Sequence, residues 1–254
     1  MNDPHVEALI YRVVHSERVN YDKAGALEYE NETFKVTVKE KSATFEMKAH
    51  CSTEQEAKAR LEPFIKRWEL AAALKRGPGE FGLEFEKAHV IDRQPPAGIV
   101  LYPETAKFST TFYPATLTLG RNSYPSVAEN IAIDPDVEVM CRRYALYREG
   151  KDTLAAMAYF CLTVLESSAG NRRAIKSRFG VSIRVASTLA RLSSEHGGMT
   201  ARKSDGVQKE FTSSERNWLE QTISVLIFRA AEIAHDQAVA RTEITMADLP
   251  TLDS

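Results

Sequence analysis

Four ionisable residues crowd one short, otherwise apolar stretch near the end of the 254-residue chain: Arg229, Glu232, His235 and Asp236. Cleavage of an RNA phosphodiester suits this set. A neutral imidazole takes the proton from a 2′-hydroxyl, and an imidazolium protonates the leaving oxygen. A guanidinium neutralises charge gathering on the phosphoryl oxygens. A carboxylate holds the imidazole in one tautomer. These steps call for no metal and no cofactor, and none is expected. The same residues also read as ordinary helix ion pairs beside a bystander histidine.

Spacing limits what the four can do together. Arg229 and Glu232 are three apart, as are Glu232 and His235, while Glu232 and Asp236 are four apart. Each pair shares a helix face. Arg229 and His235 are six apart, so on a regular helix they diverge by about 120° with about 9 Å of rise. They meet at one phosphate only if the arginine reaches along the groove, the helix deforms, or a second subunit completes the site.

The helix that must carry them has a clear start. Thr212-Ser213-Ser214-Glu215 fits a capping box. Trp218, Leu219, Ile223, Leu226, Ile227, Ala230, Ile233 and Ala234 recur at helical spacing, and the pattern predicts a helix to about Ala240. The acidic residues 242–254 are then expected to form a loose tail. Arg172, Arg173, Lys176 and Arg178 make the most basic segment, and Arg202 and Lys203 stand in a polar loop over 199–211. They read either as an RNA-binding surface or as solvated helix faces.

The preceding chain from residue 136 also reads as helices, over about 137–149, 152–167 and 182–194. Val139, Met140, Tyr144 and Tyr147 favour one side of the first, and Ile183 counts among the apolar positions of the last. Residues 1–135 read differently. Phe34, Val36 and Val38 alternate with Lys35, Thr37 and Lys39, and Ala43, Phe45 and Met47 alternate with Thr44, Glu46 and Lys48. With Val6–Val14 and Leu27–Glu30 they predict an antiparallel meander. One long helix follows from Ser52 or Thr53, with Trp68 as a plug between helix and sheet; Pro63 either bends it or delays its start. Phe81, Leu83 and Phe85 predict a further strand. Ile99–Tyr102 reads as a short strand, 106–119 as one or two more, and 121–135 as a linker or lid. The fold class expected is α+β: an antiparallel sheet domain over 1–135, a helical bundle over 136–241, and the tail.

Lys and Arg number 33 against 35 Asp and Glu, so the chain as a whole is no basic nucleic-acid glove. Residues 1–135 carry 17 basic and 20 acidic groups, and residues 136–241 carry 16 and 12, so the positive bias lies in the helical half. Cys51, Cys141 and Cys161 suit reduced thiols of a cytoplasmic protein. No signal peptide or membrane span is expected. Phosphate-binding glycine loops and HExxH are missing, and the six histidines are scattered. His50 and Cys51 are chain neighbours, which on a strand would face opposite ways.

The helical half resembles a HEPN domain over about residues 137–240. The segments that carry the likeness are MCRRYALYREG, FCLTVLES with Glu166, and RAAEIAHD. Arg229 and His235, with five residues between, match the family's Arg, four to six residues, His motif. Glu232 matches a polar residue sometimes found inside it, and Ala230 stands where Asn is frequent. The resemblance implies metal-independent RNA cleavage in a site shared by two subunits whose last helices face each other, in anti-phage defence or a toxin system. It equally implies the family's inactive members: a non-catalytic interaction or sensor protein whose N-terminal domain recognises a partner or target.

Overall fold

A computed structural model describes residues 2–17, 19–77, 79–94, 123–195, 210–237 and 242–252. An antiparallel sheet unit with one long helix is followed by a helical bundle. The chain divides into two compact units, Met1–Ala73 with Gly79–Val127, and Leu74–Pro78 with Ala128–Ser254.

In the first unit β1 (Pro4–Val14), β2 (Leu27–Glu30), β3 (Phe34–Lys39), β4 (Ser42–Met47) and β5 (Gly82–Asp92) form one sheet in the order β2-β3-β4-β1-β5. Every pairing is antiparallel. The meander expected from the sequence is correct only for β2-β3-β4. The first strand is inserted between β4 and β5, and its eleven residues bury Val6, Leu9, Tyr11 and Val13. The β3–β4 turn is Glu40-Lys41, and both residues adopt positive φ, 52° and 63°. That is the backbone of a tight hairpin turn whose twist matches the strands, built here without glycine.

Helix α1 (Glu54–Arg76) covers the sheet. Thr53 Oγ1 accepts the Glu56 amide, and Glu54 and Glu56 stand in the first turn where the helix dipole favours acids. The helix continues through Pro63, which is exposed, while Leu61, Phe64, Ile65 and Trp68 bury their side chains around it. Packing of that stripe outweighs the lost amide bond. Trp68 is fully buried, 4.8 Å from the Phe81 ring, and its indole N–H donates to the Pro125 carbonyl. Tyr124 stacks on Tyr21 at 4.9 Å, and its hydroxyl accepts the Lys41 amide. Tyr124 and Pro125, at the start of the stretch read as a linker or lid over 121–135, therefore belong to the interior of the sheet unit. The strands expected between 95 and 119 lie outside the described residues.

The second unit packs α2 (Pro135–Arg148), α3 (Leu154–Ala169), α4 (Ala174–Phe179), α5 (Ile183–Glu195) and α6 (Ser213–His235). Asp134, Thr153 and Thr212 cap α2, α3 and α6 through their side chains. Helix α3 is the most apolar and buries seven residues, among them Met157, Cys161 and Leu165. Two apolar positions break the expected stripes: Val139 is 41% exposed and Ile183 is 48% exposed. On α2 the buried set is Val137, Met140 and Tyr144, the three- and four-residue spacing that leaves Val139 on the outer face. Ile183 is the first residue of α5, ahead of the turn that packs.

Candidate functional site

Helix α6 begins with the expected capping box, in which Thr212 Oγ1 accepts the Glu215 amide and the Glu215 carboxylate accepts the Thr212 amide. Nine side chains, from Trp218 to Ile233, form its buried stripe. The helix ends at His235, five residues before the expected end near Ala240. Asp236 has φ −147° and ψ 112°, an extended backbone, while its amide still donates to the Glu232 carbonyl at 3.0 Å. Asp236 is thus the C-cap of α6 rather than a residue within it.

Arg229 and Glu232 are joined: Nε donates to Glu232 Oε2 at 2.9 Å. The Arg229 side chain is only 12% exposed. Its Nη1 donates to two backbone carbonyls, Phe179 at the end of α4 and Thr242, each at 3.1 Å. Between those carbonyls sits Gly180, in the left-handed region at φ +61°, and a Cβ there would lie 3.0 Å from Nη1. The close approach and the positive φ both require glycine. His235 is exposed, and no hydrogen bond or ion pair connects it to Arg229. Of the four candidates, Arg229 and Glu232 form one group, His235 is exposed, and Asp236 closes the helix.

Thr242 leads into a segment that the sequence reads as a loose acidic tail, and this reading is corrected. The Ile244 amide donates to the Gly180 carbonyl at 2.7 Å, and the Ser182 amide donates to the Ile244 carbonyl at 2.9 Å. Val181 and Ile244 so form a parallel bridge. Ile244 and Leu249 are 6% and 7% exposed. Thr245 and Asp248 close a reciprocal cap around the short turn Met246–Asp248, and the Thr245 bonds hold the Asp248 carboxyl below the usual carboxylate range. Two buried aliphatic side chains and a bonded backbone override the polar composition.

The basic segment is exposed, but its charges are partly used. Arg172 pairs with Glu166, Lys176 pairs with Glu243 at 3.3 Å, and Arg178 lies 5.5 Å from the Phe179 ring. Arg173 is exposed before α4. Arg202 and Lys203 lie outside the described residues. A pocket of about 320 Å³, counted with its open mouth, is lined by Asp134, Asp136, Arg178, Phe179, Ile233 and Gln237 among others. Arg229, Glu232 and His235 do not line it.

A further histidine arrangement escapes sequence reading. His5 and His50 stack with ring centroids 5.3 Å apart. His5 is buried, and its Nδ1 lies 3.4 Å from the Cys51 amide, which donates to it. Burial, then the positive charge of Arg93, holds its pKa below the ordinary histidine value. His50 lies 3.2 Å from Ser52 Oγ and 3.8 Å from Asp3. It follows the sheet rather than lying on a strand, so the strand argument about His50 and Cys51 does not hold. Burial raises the Cys51 pKa, which disfavours a thiolate. Positions 5 and 50 are too far apart in the chain for spacing to reveal them.

Among the described residues, no group of three His, Cys, Asp or Glu side chains is placed to hold a metal ion, and no helix is long and apolar enough to cross a membrane. No family model, curated protein or solved structure matches the chain.

Proposed function

We propose that this chain is a non-catalytic interaction protein, with a HEPN-like helical unit as scaffold and the sheet unit receiving a partner or target. The observation that carries this reading is how Arg229 is employed. Two of its three guanidinium nitrogens bond within the fold, to a carboxylate and to two carbonyls, and the side chain is nearly out of solvent. A guanidinium so engaged has little left for a transferring phosphoryl group. The test is cleavage of a mixed-sequence RNA by the purified chain in EDTA. Wild type and His235→Ala are expected to leave RNA equally intact. Cleavage by wild type that the variant loses while keeping its circular dichroism overturns the reading.

A second reading keeps one observation. His235 is exposed on the last turn of α6, three residues beyond Glu232. In that reading the chain is a metal-independent endoribonuclease of a homodimer joined through its C-terminal helices. The partner's imidazole then supplies what the single chain lacks, with Arg172, Arg173, Lys176 and Arg178 holding the RNA. Cleavage that persists in EDTA and follows dimer concentration is its signature.

A further inference from the structure

We infer that the helical unit carries a binding site for an extended peptide segment of a partner protein, filled here by the chain's own residues 242–249. The inference rests on the interaction-protein reading and goes beyond it by adding a second partner site, on the helical unit, with a stated chemistry.

The receptor is a short run of backbone at the α4–α5 junction with one arginine beside it. Gly180 offers its carbonyl and Ser182 its amide, and both are taken by a single residue, Ile244, at 2.7 and 2.9 Å. Pairing of this kind is strand addition: main-chain bonds fix register, and side-chain contacts read identity. Arg229 Nη1 takes the carbonyl two residues upstream, that of Thr242. Lys176 takes the acid between them, Glu243, at 3.3 Å. Ile244 is buried, and Leu249 is buried five residues later, after the turn closed by Thr245 and Asp248. The contacts therefore read a carbonyl, an acid, an aliphatic side chain and a second aliphatic side chain, in that order.

The receptor groups are set independently of their occupant. Glu232 and the Phe179 carbonyl already orient the Arg229 guanidinium. The left-handed Gly180 at the end of α4 turns the backbone so that its carbonyl is offered, and its own amide is satisfied by Lys176 O. Binding sites with their polar groups fixed in advance lose less on association. The occupant, by contrast, pairs through one residue only. Its tether a few residues beyond α6 adds a high effective concentration to these contacts. A partner segment with an acid followed by an aliphatic residue, and a second aliphatic residue five positions on, presents the same contacts and displaces it.

The test uses the full chain. Ile244→Asp puts a carboxylate where the aliphatic side chain is buried and releases the segment. A fluorescent synthetic peptide of residues 242–252 is titrated by anisotropy against variant and wild type. Binding to the variant about tenfold or more tighter than to wild type is expected, and a peptide carrying the same Ile244→Asp change should fail to bind. Equal binding to both proteins, or none to a variant whose circular dichroism is native, overturns the site. If the variant does not fold, hydrogen exchange of the wild type decides. The Ile244 and Ser182 amides should exchange by local opening, faster than that of Leu226 in α6, and exchange at one common rate overturns the proposal. RNA cleavage by the same wild-type preparation would sink the interaction-protein reading by itself, so the two failures are separate.

Discussion

The Arg229 guanidinium donates a 3.1 Å hydrogen bond to the carbonyl of Thr242, and the same nitrogen donates to Phe179 at the end of α4. One side chain thus ties the last helix, the short helix before it and the C-terminal segment together. Removing it leaves both carbonyls without this donor and breaks the ion pair to Glu232. Arg229→Met is expected to lower stability by about 1.5–3 kcal/mol, the range for bonds to a charged group. Arg229→Lys should recover only part, because an ammonium cannot serve the carboxylate and both carbonyls from one planar fork. Urea unfolding of the three proteins checks the order.

Gly180→Ala tests the same junction from the backbone side. An alanine at φ +61° is strained, and its Cβ would press on Arg229 Nη1 at 3.0 Å. A loss of about 1–2 kcal/mol is expected. Combined with Arg229→Met, where the crowding nitrogen is gone, the alanine should cost less than it does alone. Strictly additive losses in the double-mutant cycle would contradict the close approach.

His5 gives the sheet unit a pH dependence with a definite sign. Its pKa is held below 6.5 by burial, then Arg93, then His50, while Glu7 and Asp3 pull the other way and Cys51 donates its amide to the ring. The unfolded chain therefore takes up a proton before the folded one does. Stability is full above about pH 6.5 and falls as the pH drops through that value toward the lower folded pKa. Urea midpoints between pH 7.5 and 5.5 should decline, and His5→Gln should flatten the decline. An unchanged slope in that variant would assign the effect to other groups.

Glu40 occupies a left-handed position at φ 52° with its side chain in solvent. Asparagine tolerates that backbone better than glutamate. Glu40→Asn is expected to raise the stability of the sheet unit by about 0.5–1 kcal/mol. Thermal unfolding followed by near-ultraviolet circular dichroism of the tyrosine and tryptophan cluster reads the change; a lower melting temperature would contradict it.

Much of the architecture is legible in residue order. Alternation at Phe34, Val36 and Val38 and the capping box at Thr212 are local signals, and each matches an element the structure contains. The position of β1 between β4 and β5 is not local: pairing such as Leu9 with Phe45 and Ala88 depends on which apolar faces fit together. The candidate site was legible in its residue types and illegible in its use. Nothing in the spacing of Arg229 announces that Phe179 and Thr242 supply carbonyls, because backbone acceptors carry no sequence signature. The acidic look of 242–249 likewise conceals Ile244 and Leu249, whose separation of five fits neither a helix stripe nor a strand face.

Tyr124 and Pro125 complete the interior begun by Tyr21, Lys41 and Trp68, although they follow β5 by some thirty positions. Expression of the N-terminal piece must therefore be planned around this return. A fragment cut soon after Asp92 would strand the Trp68 indole N–H without an acceptor and uncover one face of Tyr21. A fragment carried through Val127 retains both, and it is the shorter piece, not the longer, that should be found insoluble.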